Sequence, residues 1–369
     1  MTAFEGAKRA PHQPPVMATG IVLCNFGEPA APDRETVHDY LTRIFFDNAD
    51  LESAATEEEA WERSRELASR RLPSLLEEYE QIGGSPLAAQ AVAQADALAQ
   101  TLESRDHDVD VFYGMQFTEP LLPDVAADLA DVGFESVVAV PIYPLCGPST
   151  TVSSIDTLEG AIDEIDGYDP AFAAITGWHR VPAYNRLRVE GISDFVEEAG
   201  VDLHDPDTAF VFSAHGTPTK YLEAGSRYDE YVEEHAETIA RMLDLDDYHL
   251  GYQNHSNRGI PWTEPDTEDV VEGLEGEAER VVVEPMSFMH EQSETLVELD
   301  VDLVEDAAAV GLELHRVPVP HDDPRFPTLL ADVLEPFLAG FEPSYYQLRQ
   351  CECRPVDGTY CFNARTPPT

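Results

Sequence analysis

Short apolar runs alternate along the chain with longer amphipathic stretches, and this alternation constrains the fold more than any other feature. Apolar runs of strand length and stretches of helical periodicity predict an α/β fold with parallel sheets flanked by helices. Ligands of such folds bind at the carboxyl ends of the strands. We expect strands at 20–24, 109–113, 136–143, 171–175, 209–213, 248–252, 280–284 and 313–317, and helices at 87–102, 184–198, 228–243 and 295–310.

Two of the predicted strands end in similar turns, which indicates two similar halves. In residues 23–29 and again in 212–218, an apolar strand runs into an aromatic residue followed by Gly-x-Pro. Glycine permits a sharp turn and proline prevents further ladder pairing. We therefore predict two doubly wound domains, 18–178 and 179–342. A flexible N-terminal tail, 1–17, precedes them, and a tail without periodicity, 343–369, follows with three cysteines.

Acidic residues dominate the charge: 72 Asp and Glu against 22 Lys and Arg give a net charge of −50. This balance argues against binding to nucleic acids and to anionic lipids, since both require clustered cations. Disorder is also excluded, because 43% of the residues are hydrophobic. At molar salt the Debye length falls to roughly 3 Å, so a halophile's cytoplasm would screen this charge. An ordinary acidic protein is the alternative.

The termini and apolar runs predict a soluble, cytoplasmic protein. The first eighteen residues lack the apolar run of a secretory signal. The longest apolar stretch, near 137–143, is far shorter than the ~20 residues of a membrane-spanning helix.

His215 and an acidic ridge are the leading candidates for chemistry. His215 follows a buried strand, where it could accept a proton or bind a metal, or merely cap the turn. Glu294, Glu298 and Asp302 are spaced four apart, which would place them along one helix face and which we call the acidic ridge. The ridge could conduct protons or cations, or it could be a solvated face.

Three further segments could contact a ligand. Gly83-Gly84-Ser85-Pro86 could bind an anion at a helix start or simply form a turn with an N-cap. The hydroxyl-rich stretch 143–154 could bind carboxylates or cap a helix. Trp262, between two prolines, could form a flat wall for an aromatic ligand or be a packed anchor.

Seven motifs in order make the chain resemble the ferrochelatases, the enzymes that insert iron into a porphyrin. The resemblance spans about 18–342. The matched segments are Asn25–Pro29, Ile82–Leu87, Tyr113–Phe117, Ile142–Pro144 with Ser149–Thr151, Ser213–Pro218, 252–265 and Gln292–Asp300.

The resemblance implies two flavodoxin-like domains around a porphyrin cleft, and insertion of Fe(II) into protoporphyrin or coproporphyrin with release of two protons during haem biosynthesis. It implies catalytic roles for His215 and Glu294, and metal contacts by His215, Glu294, Glu298 and Asp302. The implied substrate-binding residues are Phe26, Ser85, Tyr143, Ser149, Thr150 and Trp262. A chelatase for sirohydrochlorin, a porphyrin carrier and an iron–sulfur sensor are the alternatives.

The chain departs from the family pattern at three positions. Gln292 stands where the family usually has His, and His290 lies two residues earlier. Gln116 replaces an Arg, which removes a potential propionate partner. Phe26 stands where some coproporphyrin-using members have an iron-ligating Tyr, which disfavours that subgroup.

Four of the five cysteines suggest a second metal centre. In some ferrochelatases three cysteines of the tail and one before Ser-Thr-Thr bind a 2Fe–2S cluster. Here Cys351, Cys353 and Cys361 lie in the tail and Cys146 precedes Ser149, although the Cys-x-Cys spacing differs from the animal pattern. Four thiolates suit an iron–sulfur cluster or zinc, and unliganded cysteines remain an alternative. Cys24 lies in an apolar run, which is typical of buried core.

Overall fold

The computed structural model describes residues 18–48, 56–254, 259–338 and 348–362. Strands and helices alternate in it, as the apolar pattern predicts. The first half contains β1 (Thr19–Asn25), α1 (Arg34–Asp47), α2 (Glu57–Ile82), α3 (Leu87–Ser104), β2 (Val109–Met115), α4 (Leu122–Val132), β3 (Ser136–Pro141), α5 (Ser153–Asp163) and β4 (Ala171–Thr176).

The second half repeats the alternation. Its elements are α6 (Pro182–Ala199), β5 (Thr208–His215), α7 (Thr219–Glu223), α8 (Tyr228–Met242), β6 (His249–Gln253), α9 (Thr267–Glu272), β7 (Arg280–Pro285), α10 (Ser293–Leu296), α11 (Leu303–Ala309), β8 (Glu313–Arg316) and α12 (Arg325–Leu338). The eight strands predicted in the two halves are all present, each within two residues of its expected bounds.

The two sheets have equivalent strand orders, which explains the repeated turn in the sequence. The first sheet runs β2-β1-β3-β4 and the second β6-β5-β7-β8, and the neighbouring strands in both are parallel. This is the doubly wound order in which a switch point lies beside the first strand. β1 and β5 therefore occupy the same position, and their carboxyl ends lead into the two similar turns. Each half has its own sheet, and the division at residue 178 stays a prediction.

The predicted helix at 295–310 is broken rather than continuous. α10 ends at Leu296, and a π-helical turn, Glu298–Asp302, precedes α11. The backbone N–H of Asp302 donates to the carbonyl of Val297 at 2.9 Å, a bond across five residues. Such π-turns insert a residue into a helix and occur often at functional sites.

The C-terminal tail contains two short strands, although its sequence has no periodicity. β9 (Arg349–Gln350) and β10 (Thr359–Cys361) follow there, and β10 extends the first sheet by pairing in parallel with β4. Three-residue strands carry too little pattern to be recognised in a sequence. Residues 1–17, 343–347 and 363–369 of the two predicted tails lie outside the described residues.

Packing across the proposed boundary joins the halves. The apolar face of α12, with Phe326, Leu329 and Leu334, lies in one core with Leu98 of α3 and Ile21 of β1. The last helix of the second half is thus anchored on the first. Among the described residues, no helix is long and apolar enough to cross a membrane.

Candidate active site and cysteine cluster

His215 and Glu294 meet at the carboxyl ends of the second sheet. His215 is the last residue of β5, and Glu294 lies in α10, which follows β7, the neighbour of β5. The imidazole Nε2 lies 3.1 Å from Oε1 of Glu294, and the two side chains are 31% and 18% exposed. The structure therefore brings together the two residues with predicted catalytic roles in a site that solvent still reaches.

The backbone and protonation of His215 are controlled by its neighbours. Its N–H donates to Oγ of Ser287 at 3.0 Å, and its carbonyl accepts from the Tyr228 hydroxyl at 2.9 Å. Burial alone lowers the pKa of His215, but the hydrogen bond and charge of Glu294, with the charge of Glu298, outweigh it and raise the pKa. The site thus stabilises the protonated imidazole, which makes the neutral form of His215 a stronger base than a free imidazole.

Glu298 is the second member of the acidic ridge to face this pair. Burial, followed by the charge of Glu294, raises the pKa of Glu298 to about 8. Gln253, at the end of β6, donates from Nε2 to Oε2 of Glu298 at 3.1 Å and to the carbonyl of Glu294 at 2.8 Å. Gln253 was not recognised in the sequence, although its place at a strand's carboxyl end is a usable signal.

Asp302 lies apart from the other two acids. It is exposed, and burial followed by the charges of Asp306 and Glu305 raises its pKa. Its electrostatic neighbours are therefore on α11 and not in the site. The ridge runs from a half-buried end at Glu294 to an exposed end at Asp302.

Gln292, and not His290, contacts Glu294. The amide Nε2 of Gln292 donates to Oε2 of Glu294, and the backbone N–H of Gln292 donates to the Thr295 hydroxyl at 3.0 Å. His290 is 4% exposed, and burial lowers its pKa to about 3. The glutamine thus occupies the place beside Glu294, while His290 is an uncharged core residue.

Two of the predicted substrate-binding aromatic residues lie on opposite halves. The ring of Trp262 lies 6.4 Å from that of His215, and Trp262 is held by a backbone bridge to Pro218. Phe26, at the carboxyl end of β1, packs edge-on against Phe117 at 4.6 Å and lies 6.4 Å from Tyr40. Trp262 thus lies beside the histidine, and Phe26 is partly engaged in the core under α1 and α2.

The hydroxyl-rich segment borders a cavity between the halves. Ser149 and Thr150 lie in a π-helical turn, Pro148–Val152, at the start of α5 and are half-buried. Ser149 lines a cavity of about 430 Å³, together with Asp47, Ser153, Asp156 and Tyr221. Because Tyr221 follows β5, residues of both halves line this cavity.

Tyr143 and Gln116 lie near that segment. The hydroxyl of Tyr143 donates to Oε1 of Gln116 at 3.3 Å, and Nε2 of Gln116 donates to Oγ of Ser153 at 3.0 Å. A neutral hydrogen-bonded chain therefore occupies the position where the resemblance would place an arginine.

Ser85 contacts a residue that the sequence did not single out, Glu28. Oγ of Ser85 accepts from the N–H of Leu87 at 3.3 Å, and Ser85 also hydrogen-bonds to the carboxylate of Glu28. Glu28 belongs to the segment Asn25–Pro29, whose sequence predicts a turn without indicating a role for its acid. An acid directly after a buried strand at a sheet's carboxyl end was the available signal.

The cysteine cluster, formed by Cys146, Cys351, Cys353 and Cys361, lies where the tail meets the first half. The sulfur atoms of the first three lie within 4.8 Å of one another. Hydrogen bonds from Cys146, Cys353 and Cys361 lower the pKa of Cys351, while Cys146 has its pKa raised by the same contacts and by burial. The four residues predicted as ligands are therefore adjacent.

Hydroxyl groups and a buried arginine support the cysteine cluster. Thr176 donates to Sγ of Cys351 at 3.4 Å, and the Tyr231 hydroxyl lies 3.6 Å from Sγ of Cys353. Arg354, 5% exposed, bonds Thr359 at 2.6 Å and forms ion pairs with Asp156 and Glu159 of α5. A set of four sulfur donors with hydroxyl partners fits a thiophilic metal group.

The chain is similar in sequence to several known proteins. Two curated relatives, each named ferrochelatase, come from Synechococcus sp. (strain RCC307) and Gloeothece citriformis (strain PCC 7424). Each is 34% identical, and the alignments cover 88% and 85% of this chain and 83% and 81% of the relatives. Among solved structures, SirB from Bacillus subtilis with Fe3+ aligns at a TM-score of 0.49 with 10% identity, covering 90% of this chain and 98% of its own. The ferrochelatase family model matches residues 18–337, and the chain therefore belongs to the ferrochelatase family.

Proposed function

We propose that the protein is a metal chelatase of the lyase class that inserts Fe(II) into protoporphyrin or coproporphyrin with release of two protons. The observation that carries this proposal is the His215–Glu294 contact of 3.1 Å at the carboxyl ends of β5 and its neighbour. The membership in the ferrochelatase family supports a metal chelatase. Iron and the porphyrin are both substrates.

In the proposed reaction, the site removes the two pyrrole protons while the nitrogens take the metal. The neutral imidazole of His215 accepts the first proton, and the carboxylate of Glu294 stabilises the imidazolium through the Nε2 contact. The ionised form of Glu298 accepts the second proton and releases it along the acidic ridge, because burial and the charge of Glu294 raise its pKa to about 8. Imidazole and carboxylate oxygens also suit ferrous ion, so the acidic ridge with its exposed end at Asp302 is the proposed entry or exit path.

The proposed porphyrin site lies between the halves. Trp262 beside His215 provides a flat apolar face, and Phe26, Ser85 and Tyr143 belong to the first half. Ser149 and Thr150 would donate hydrogen bonds to propionates, since Gln116 takes the place of an arginine. Phe26 cannot ligate iron and can only pack against the ring.

The test is an insertion assay in high salt with protoporphyrin and coproporphyrin side by side. His215→Ala and Glu294→Gln should each lower kcat at least a hundredfold, in line with the usual contribution of a proton-transfer residue. His204→Ala is the matched control, because His204 is exposed in the same half. Insertion by His215→Ala at the wild-type rate would overturn the role of His215. Binding of porphyrin without insertion by the wild type would favour a carrier, and insertion only into sirohydrochlorin would favour the other chelatase.

We also propose that the cysteine cluster holds a 2Fe–2S cluster. The support is the donor set, with three sulfurs within 4.8 Å of one another and Cys361 hydrogen-bonded to Cys351. When bound, such a group would supply a cross-link between the tail and the segment that carries Ser149. Protein purified without oxygen should contain about two iron and two sulfide per chain, and Cys351→Ser should lose both, in line with four-thiolate ligation. One zinc per chain, or no metal, would contradict the assignment.

A cytoplasmic location in a salt-rich cell is a further part of the proposal. Its support is the net charge of −50, which molar salt would screen. Porphyrin and ferrous iron are the proposed partners, with no nucleic acid among them.

A further inference from the structure

Glu28 is exceptional among the acidic residues because it is buried without a cation. In the described part of the chain, three carboxylic side chains are buried: Glu28, Glu284 and Glu291, at 3%, 1% and 9% exposure. Glu284 pairs with Arg188, and Glu291 with Arg316. No arginine, lysine or histidine in the described part of the chain pairs with Glu28. Burying a carboxyl group without a counter-charge costs free energy of folding, so we expect Glu28 to have a specific role.

The hydrogen bonds of Glu28 lead to the segment that carries Glu294. Oε2 of Glu28 accepts from the backbone N–H of Ser293 at 3.0 Å, and Oε1 accepts from the Ser293 hydroxyl. Ser293 is the first residue of α10, and Glu294 follows it directly. Two hydrogen bonds of the Glu28 carboxylate therefore hold Ser293, the residue next to the proposed catalytic acid. Glu28 and Ser293 are 265 positions apart in the sequence.

Residues of the first half also hold Glu28 in place. The Tyr79 hydroxyl of α2 donates to Oε1 of Glu28 at 3.1 Å, and Ser85 bonds the carboxylate as well. Gly27 before it has a φ of +85°, and a Cβ there would lie 2.4 Å from Oγ1 of Thr118. The turn thus has little freedom, so the position of the carboxylate is determined by the first sheet.

We propose that Glu28 is a positioning residue that holds the N-terminus of α10 and thereby sets the placement of Glu294 against His215 across the two halves. This inference rests on the proposed function for its catalytic consequence. Burial, followed by the charge of Glu294, raises the pKa of Glu28 to about 7, which agrees with two carboxyl groups close in space.

Replacing Glu28 by glutamine tests the contact with little change in volume. The amide has one acceptor oxygen where the carboxylate has two, so one of the two Ser293 donors loses its partner. A misplacement of about 1 Å can lower a rate about a hundredfold. We expect Glu28→Gln to lower kcat about tenfold to a hundredfold with KM for porphyrin and iron within about twofold. Glu35→Gln, an exposed acid of α1, is the control and should leave both unchanged.

Two further measurements separate positioning from a general loss of structure. Amide exchange should accelerate at Ser293 in Glu28→Gln, while β5 and β7 stay protected. The pH profile of kcat should shift, because a neighbouring carboxyl has been removed; a purely structural defect would lower the folded fraction and leave the profile unchanged. Ser293→Ala, which keeps the backbone donor, should have a smaller effect than Glu28→Gln.

The outcomes are distinct. An active wild type with an unchanged kcat in Glu28→Gln would overturn this inference and leave the proposed function intact. A wild type without insertion activity would overturn the proposed function. In that case, an unchanged amide exchange rate of Ser293 in Glu28→Gln would also overturn the proposed contact between Glu28 and Ser293. A loss of kcat with faster exchange confined to α10 would support both.

Discussion

The buried ion pair between Arg188 and Glu284 offers a quantitative test of how the active-site loop is supported. Both side chains are 2% exposed. Arg188 donates from Nε to Oε1 of Glu284 at 2.7 Å, and also to the carbonyls of Pro285 and Phe288 at 3.2 and 3.3 Å. These carbonyls flank Ser287, which accepts the N–H of His215. The pair therefore supports the loop behind the proposed catalytic histidine from α6.

Arg188→Met should destabilise the protein by about 3–5 kcal/mol, because it leaves the carboxyl of Glu284 buried without its counter-charge. Arg188→Met combined with Glu284→Leu should recover most of this loss, since an apolar pair avoids the cost of desolvating two charges. Urea unfolding at constant high salt measures the free energies of unfolding of the wild type, Arg188→Met, Glu284→Leu and the double variant. Arg188→Met alone should also lower kcat through Ser287.

Two results would refute this reasoning. A cost below about 1 kcal/mol for Arg188→Met would mean that Glu284 is solvated or protonated at no cost. A double variant as unstable as the sum of the two single variants would mean that the residues are not energetically coupled. Arg241→Met, in an exposed pair with Glu237, is the control and should change stability by less than about 1 kcal/mol.

Three further predictions concern pH, backbone and salt. Burial raises the pKa of Glu28 from 4.5 to about 7. As the pH rises from 4.5 to 7, the unfolded chain therefore loses this proton before the folded chain does. The free energy of unfolding should fall over that range by about 3 kcal/mol relative to Glu28→Gln. Gly84→Ala should be strongly destabilising, because φ is +98° and the new Cβ would lie 2.1 Å from the carbonyl oxygen of Ala30; Gly83→Ala, with no atom within 4 Å, should cost only about 1 kcal/mol. Transfer from molar to 0.1 M salt should lower the urea midpoint, since the Debye length grows from about 3 to 10 Å around a charge of −50.

Each of these predictions has a contradicting result. Parallel pH–stability curves for wild type and Glu28→Gln would show that Glu28 titrates normally in the fold. Equal costs at Gly83 and Gly84 would show that the contact with Ala30 relaxes. A urea midpoint independent of salt would show that the surface acids do not repel appreciably.

Local pattern in the sequence determined the architecture. The strands of the two halves follow from apolar runs of strand length, and the turns after β1 and β5 follow from Gly-x-Pro, because burial and backbone conformation act between near neighbours. The same applies to His215, whose place after a strand puts it at the sheet's carboxyl edge. The break in the helix after Leu296 was not predictable, since the i, i+4 spacing of the acidic residues fits a regular helix equally well.

Only the tertiary structure decided which residues share a site. Glu28 and Ser293 come together because the strand ends of two different sheets lie close together, and no local signal encodes a hydrogen bond across 265 residues. The same holds for Gln253 beside Glu298, and for the cysteine cluster, which forms because β10 pairs with β4 beside the segment of Cys146. The composition alone gives the net charge of −50. Which of the carboxyl groups are buried, away from the solvated surface, depends on the packing of the folded chain. Burial without a cation distinguishes Glu28 from that surface, and it is a property of the folded chain alone.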